Sequence, residues 1–351
     1  MDINKKNVLL LIFIVLCGIN YAQTNQNVIV KVANNSKTAS LYNQGVNLFI
    51  TGKKTEALAK FNACIDKDKS FYKSFLAKGY LLLLDAHYQE SLDYFYTYKK
   101  NSKDKAIVNE CIAEAHYGLE DYMSAIASID EAIKEEPNNI RLLRKKVTFL
   151  ISTTRYNEAI QNLNTAIAKN TSQNDILLEE RAAVKILIKD FNGAIADYNT
   201  LIKKNPNQAA YYTNRGIANE HLKNNKEAIA DFDNAIALDS NNLENYNHRA
   251  VVYIDEEKYD DAKKDLNYVI SKEPKNAIAY NNLGIVYFKE NRIVEAIDFY
   301  DKAIQYKNDY GQAYYNRGIS KNYIDKESAK EDLNKAISYG IIEAARFLHT
   351  F

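Results

Sequence analysis

Residues 277–310 read AIAYNNLGIVYFKENRIVEAIDFYDKAIQYKNDY, and the spacing inside this stretch organises the whole chain. A small residue stands at Gly284, another twelve positions on at Ala296, a large ring four further at Tyr300, and a third small residue at Ala303. Outward from Ala296, the equivalent small residue is Ala262, Ala228, Ala194, Ala159, Ala125, Ser91 and Ala57 on one side and Ala329 on the other. From the N-terminal end the intervals are 34, 34, 34, 35, 34, 34, 34 and 33, with one insertion near Ser172–Asn174 and one deletion near Asp325. The ring position keeps step as Phe61, Phe95, Ile129, Leu163, Tyr198, Phe232, Leu266, Tyr300 and Leu333. So does the first small position, as Gly45, Gly79, Ala113, Val147, Ala182, Gly216, Ala250 and Gly284, with Gly318 one step late. Pro137, Pro206 and Pro274 fall two repeats apart.

Small residues recurring once per repeat let two helices approach, and large apolar residues a turn away fill the space between them. Short polar turns such as KKTEA (53–57) and NNKEA (224–228) separate the helices of a pair. Asn138, Asn139, Asn207, Asn241, Asn242 and Asn276 precede the next helix and suit its N-cap. One such pair cannot bury its apolar face alone, so the pairs must stack. Only 3 Pro and 11 Gly in 351 residues leave too few turns for a β-sandwich or barrel. Balanced charge, 46 basic against 45 acidic residues, argues against a nucleic-acid binder driven by bulk charge. Three Cys exclude a disulfide scaffold or a multi-Cys zinc module.

The stretch 277–310 resembles the tetratricopeptide repeat (TPR) family, matching its signature at Tyr280, Leu283, Gly284, Tyr287, Ala296, Tyr300 and Ala303. The resemblance implies an all-α, right-handed superhelical α-solenoid of about nine helix-turn-helix repeats over residues 38–340, closed by a capping helix at 341–351. Residues 23–37 are left as a polar lead-in interrupted by VIVKV (28–32), extended or disordered. In such a solenoid Cys64 and Cys111 belong to different repeats and stand too far apart to bond.

Residues 1–22 read as a secretory signal peptide. Lys5 and Lys6 form a basic start, Val8 to Ile19 an apolar run too short to span a membrane, and Ala22 a small residue before a mature chain starting at Gln23. Asn20 departs from the pattern, and Leu16 before Cys17 disfavours a lipoprotein signal. The expected location is the periplasm or cell envelope of a Gram-negative bacterium, with secretion second and no membrane insertion after cleavage. Export without an evident disulfide pair fits such a compartment.

Catalysis has no visible home. There is no HExxH, GxSxG, CxxC or phosphate-cradling glycine loop, and the five His residues have no metal-ligand spacing. No catalytic residue, cofactor or metal is therefore expected. A groove built on Glu244, Tyr246 and His248 lacks a nucleophile. The constellation that does stand out is Asn214, His248, Asn282 and Asn316, each 34 residues from the next. The row is similar to the asparagine ladder of peptide-binding TPR superhelices. That implies a concave row of amides gripping the backbone of an extended segment. Asn43 is its counterpart in repeat one, and Cys111, Lys145 and Glu180 interrupt it. The other reading is that Asn is frequent here and favours this helix surface. Arg215, Arg249 and Arg317, the next residues, lean towards the helix–helix seam. Arg141, Arg144, Lys145 and Lys146 form a basic head on repeat four. It either pairs with Glu179 and Glu180 or contacts an anionic partner through Arg141, Arg144 and Lys145. The functional expectation is a non-catalytic protein-interaction scaffold of the cell envelope that binds a protein or peptide partner in the concave groove, with no nucleic acid. The alternative is a self-assembling or fixed subunit of an envelope complex.

Overall fold

The computed structural model describes residues 28–33, 36–169 and 174–349. The expected signal peptide lies outside the described residues, as do all but the last residue of the expected insertion. Nineteen α-helices and no strand occur among the described residues. The chain divides into two compact units at Asp190/Phe191. In the first unit the helices are α1 (Lys37–Ile50), α2 (Lys54–Lys67), α3 (Lys73–Leu84), α4 (Tyr88–Asn101), α5 (Ala106–Gly118), α6 (Tyr122–Glu135), α7 (Ile140–Ser152), α8 (Tyr156–Lys169) and α9 (Asn174–Leu187). The second holds α10 (Phe191–Lys204), α11 (Ala209–His221), α12 (Asn225–Leu238), α13 (Leu243–Asp255), α14 (Tyr259–Lys272), α15 (Ala277–Lys289), α16 (Ile293–Tyr306), α17 (Gly311–Lys321), α18 (Lys326–Ser338) and α19 (Ile342–Leu348). Within each unit consecutive helices pack as antiparallel pairs, each second helix also packs on the first helix that follows, and first helices touch one another. The fold is an all-α solenoid of TPR-type hairpins.

The hairpin turn is the same in almost every repeat. A residue with positive φ ends the first helix, and its neighbour's amide reaches back five residues, as Arg155 N–H does to the Leu150 carbonyl at 2.8 Å. Gly52 suits this left-handed conformation, but Thr154 holds it at φ 59° with a β-branched side chain. The second loop is capped as the sequence suggests at Asn139, Asn242 and Asn276, whose side chains accept from the amides of Arg141, Glu244 and Ala279. Asn138 and Asn241 sit one residue too early to cap, and Gln208, rather than Asn207, occupies the cap of α11 without a side-chain bond. A side-chain oxygen reaches the second or third helical amide only from the residue adjoining the helix.

The seam within a pair is set by volume. A Cβ added to Gly45, Gly79 or Gly216 would lie 2.6, 2.8 or 2.8 Å from the ring of Phe61, Phe95 or Phe232, and one on Gly284 would overlap Tyr300. Where the same position carries Ala113, Val147 or Ala250, the residue sixteen on is Ile129, Leu163 or Leu266 rather than a ring. Ring and side-chain carbon compete for the same place, so these seven repeats take one of the two solutions; the sequence departs from both where Ala182 precedes Tyr198 by sixteen and where Gly318 faces Leu333. Cys64 and Cys111 are buried free thiols in the core of the first unit. At the other end α19 sets Ala344 against Leu333 and Ala336, so the final pair has an apolar cover.

In the second unit the seam also carries a repeating fork. Arg249 donates to both Asp265 oxygens, at 2.8 and 2.7 Å, and through its other arm to Asp233 of the preceding second helix at 2.6 Å. Arg317 does the same with Asp332 and Asp301, and Arg215 with Asp231 and Asn199. Each guanidinium also lies by a ring of its own helix, Tyr212, Tyr246 or Tyr314. Planar forks of this kind join three helices with one side chain, which Lys could not do.

Gly284→Ala should destabilise the chain by about 1–3 kcal/mol, read as a lower melting temperature by circular dichroism. Adding Tyr300→Leu, which recreates the Ala250/Leu266 arrangement, should recover part of that loss. Thr154→Gly should raise stability by about 0.5–1 kcal/mol, because the gain from relieving the left-handed Thr exceeds the entropy cost of glycine; unchanged or lower stability in chemical denaturation would contradict it.

Candidate site on the first-helix face

Asn214, His248, Asn282 and Asn316 lie on α11, α13, α15 and α17, consecutive first helices of the second unit that pack side by side. Their accessibility is unequal. Asn214 is 5% and Asn282 1% exposed, so both are interior groups, while His248 and Asn316 remain partly exposed. The amides are used on one another. Gln312 Nε2 donates to Asn316 Oδ1 at 3.1 Å, Asn316 Nδ2 to Asn281 Oδ1 at 2.9 Å, and Asn281 Nδ2 to Asn282 Oδ1 at 3.3 Å. This relay of four amides ties α17 to α15. Between α11 and α13 the tie is Thr213 Oγ1 donating to Asn245 Oδ1 at 2.8 Å. Buried Asn245 Nδ2 and Asn247 Oδ1 have no hydrogen-bond partner among the described residues. The 34-residue row does not include Thr213, Asn245, Asn281 or Gln312; their only trace in the sequence is a polar residue at the buried end of a first helix.

His248 breaks the amide row with an ion pair. Its ring stacks on Phe232 with centroids 5.6 Å apart, and Nδ1 lies 2.9 Å from Glu220 Oε2. Burial works against protonation, but the hydrogen bond to Glu220 and the charges of Glu220 and Glu244 outweigh it, so the imidazole pKa is raised above its ordinary value. Of the trio Glu244, Tyr246 and His248, the tyrosine ring packs on Tyr268 at 4.6 Å, and His248 is oriented by Glu220 instead.

The basic head of repeat four, on α7, faces carboxylates of both neighbouring repeats. Lys145 donates to Glu110 at 2.7 Å and also pairs with Glu114; Arg141 pairs with the same Glu110. Arg144 reaches Glu180 and Lys146 reaches Asp130, at 2.5 and 2.6 Å. Glu110 is buried, which would raise its pKa, yet Lys145 and Arg141 beside it hold it below the usual carboxylate value. Burial prevails at Glu180, whose pKa is raised in spite of Arg144. Pairing with Glu180 follows from the sequence, but Glu110 and Glu114 on α5 do not, because they are 31–35 residues upstream, on the other side of α7. Arg141, 40% exposed, is the most accessible cation of the group. No cluster of three His, Cys, Asp or Glu residues among the described residues is arranged for a metal, and no helix among them is long and apolar enough to cross a membrane.

Asn43, the repeat-one counterpart of the row, pairs with a non-helical backbone. Its Oδ1 accepts from the Val32 amide at 2.9 Å and its Nδ2 donates to the Val32 carbonyl at 3.0 Å. One side-chain amide thus pairs with one residue's main chain as a neighbouring strand would. Val32 belongs to the non-helical segment 30–33, and Val28 and Ile29 just before it are buried in the core of the first repeats.

Stacked hairpins of a fixed period, with a polar row on the first helices, define a helical-repeat interaction protein. Residues 189–242 and 249–313 match the tetratricopeptide repeat family, which supports the TPR reading of the repeats. A tetratricopeptide repeat protein from Parabacteroides merdae is similar in structure with a TM-score of 0.62 and 24% identity, over 70% of this chain and 98% of that one. The C-terminal part of a TPR repeat-containing protein from Cytophaga hutchinsonii is similar with a TM-score of 0.50 and 14% identity, over 65% of this chain and 94% of that one. These likenesses are of fold alone. No curated protein matches in sequence. Tetratricopeptide repeats serve in general as non-catalytic scaffolds for protein or peptide partners.

Because the His248 pKa is raised in the folded chain, its pairing with Glu220 contributes stability below the unfolded value of about 6.5 and loses it as pH rises through the higher folded value. The stability difference between the parent and His248→Gln should therefore be larger at pH 5.5 than at pH 8.5 in urea denaturation. A pH-independent difference would contradict the pairing.

Proposed function

We propose that this chain is an exported, non-catalytic scaffold of the cell envelope that holds a protein partner by an extended segment lying on the first-helix face. The observation that carries the reading is the two-bond grip of Asn43 on Val32, a non-helical backbone held by the amide position that recurs at Asn214, Asn282 and Asn316. Asn214 and Asn282 are interior, so direct contact in repeats six to nine falls to Asn316 and His248, with buried Asn281 holding Asn316 in place. The periplasm or cell envelope of a Gram-negative bacterium follows from the leader at residues 1–22, and Arg141 is the cation best placed to meet an acidic group on a partner.

The test compares residues 23–351 with the double variant His248→Ala, Asn316→Ala in affinity capture from the envelope of the native organism, with circular dichroism checking that both are helical. Each lost hydrogen bond is worth about 0.5–1.5 kcal/mol, so a bound partner should be held roughly 5- to 150-fold less tightly by the variant. Equal retention by both overturns the first-helix face as the contact. A purified mature chain that is itself a fixed oligomer by mass, with nothing captured, would favour the self-assembling reading instead.

A further inference from the structure

We propose that residues 28–33 are a latch: they occupy, in cis, a peptide-binding site on repeat one, and a partner's extended segment of the same pattern displaces them. The chemistry of that site is written in its present occupant. Val28 and Ile29 are buried, Val30 and Lys31 are exposed, and Val32 is half-buried with both its N–H and its carbonyl held by Asn43. The site therefore asks for two adjacent β-branched apolar residues and, three positions after the second, a residue other than proline whose backbone is free to pair. The amide reads main chain, so the side chains exposed between these anchors are unconstrained. A segment of a partner protein able to lie as an unpaired strand has these properties.

Two features make the occupant a latch rather than a fixed part of the core. Its attachment is small: two buried side chains, a half-buried Val32 and two hydrogen bonds are set against the entropy of ordering a segment that is non-helical over residues 30–33. It is also joined to α1 through residues 34–36 alone, so its local concentration is high and the cis form dominates until a ligand in trans competes. Among the described residues both bonds of the Asn43 amide go to the segment, and departure of the segment exposes a donor and an acceptor beside the apolar core of repeats one and two. An unsatisfied amide beside apolar surface is what an extended peptide can refill.

The inference concerns repeat one, whereas the capture experiment varies repeats seven and nine, so either can fail without the other. Its test uses the full chain and a fluorescein-labelled peptide VIVKVA, the sequence of residues 28–33. Ile29→Asp puts a charge where the latch is buried and should release it. Anisotropy should then show at least about tenfold tighter binding of the peptide to Ile29→Asp than to the unaltered chain, a factor of ten being about 1.4 kcal/mol. Adding Asn43→Ala should remove at least about fivefold of that gain, and a peptide with proline in place of Val32 should not bind. Equal affinity for latched and unlatched chains, no binding to a helical Ile29→Asp chain, or indifference to Asn43→Ala overturns the proposal. So does a dimer of the unaltered chain held by exchanged latches, since the occupant would then be a second copy. If Ile29→Asp is not helical, hydrogen exchange of the unaltered chain decides. The Val32 amide should exchange by local opening, faster than the amides in the middle of α1, and exchange at the same rate as those amides overturns the latch.

Discussion

Everything in this molecule depends on how closely the two helices of a repeat approach, and that is settled by one contact between residues sixteen apart. A ring from the second helix lies on a glycine of the first at Gly45, Gly79, Gly216 and Gly284. Where the first helix carries Ala113, Val147 or Ala250, an aliphatic side chain takes the place of the ring. Either combination fills the seam at close-packed density, and in the glycine repeats a Cβ would crowd the ring that is already there. With the pair's geometry set this way, the next repeat has a defined surface to dock on, and the solenoid grows by nearest-neighbour contacts.

Electrostatics reinforces the same seam from the side. The Arg215, Arg249 and Arg317 forks each join the second helices of two consecutive repeats, pairing a buried carboxylate (Asp231, Asp265 or Asp332) with an exposed Asn199, Asp233 or Asp301. In the first unit the corresponding task falls to ion pairs between first helices: Arg141 and Lys145 with Glu110, and Arg144 with Glu180. Buried charge of this kind adds little net stability over an apolar core but penalises misregistered stacking, since a slipped repeat would strand a carboxylate. The amide relay through Gln312, Asn316, Asn281 and Asn282 follows the same logic without charge.

This explains why a polar first-helix face is not by itself a binding surface. Asn282 and Asn214 are polar by sequence and interior by position. Asn43 differs in that the main chain of Val32, in a non-helical segment, supplies both of its bonds among the described residues. The same side chain in the same repeat position thus pairs with another side chain or with main chain according to what lies next to it.

The helical pairs, their number and their turns were legible in the sequence, because a 34-residue period and the alternation of small and large residues are properties of neighbouring repeats. The seam position of the three arginines was legible for the same reason. The partners of the candidate site were not. Asn281 and Asn282 differ by about 100° around one helix, and which of them meets Asn316 depends on the rotation of α17 against α15. Glu220 as the partner of His248, and Glu110 as that of Lys145, come from the preceding repeat at spacings of 28 and 35 residues. Those spacings bracket the period without matching it, because the side chains lean across the interface. Likewise VIVKV could be read as extended or disordered, but not placed. The sequence by itself determined the repeat, since close packing inside a hairpin is a local constraint. Tertiary structure alone decided which polar groups are satisfied inside and which face a ligand, since a hydrogen bond depends on where a second helix or strand stands in space.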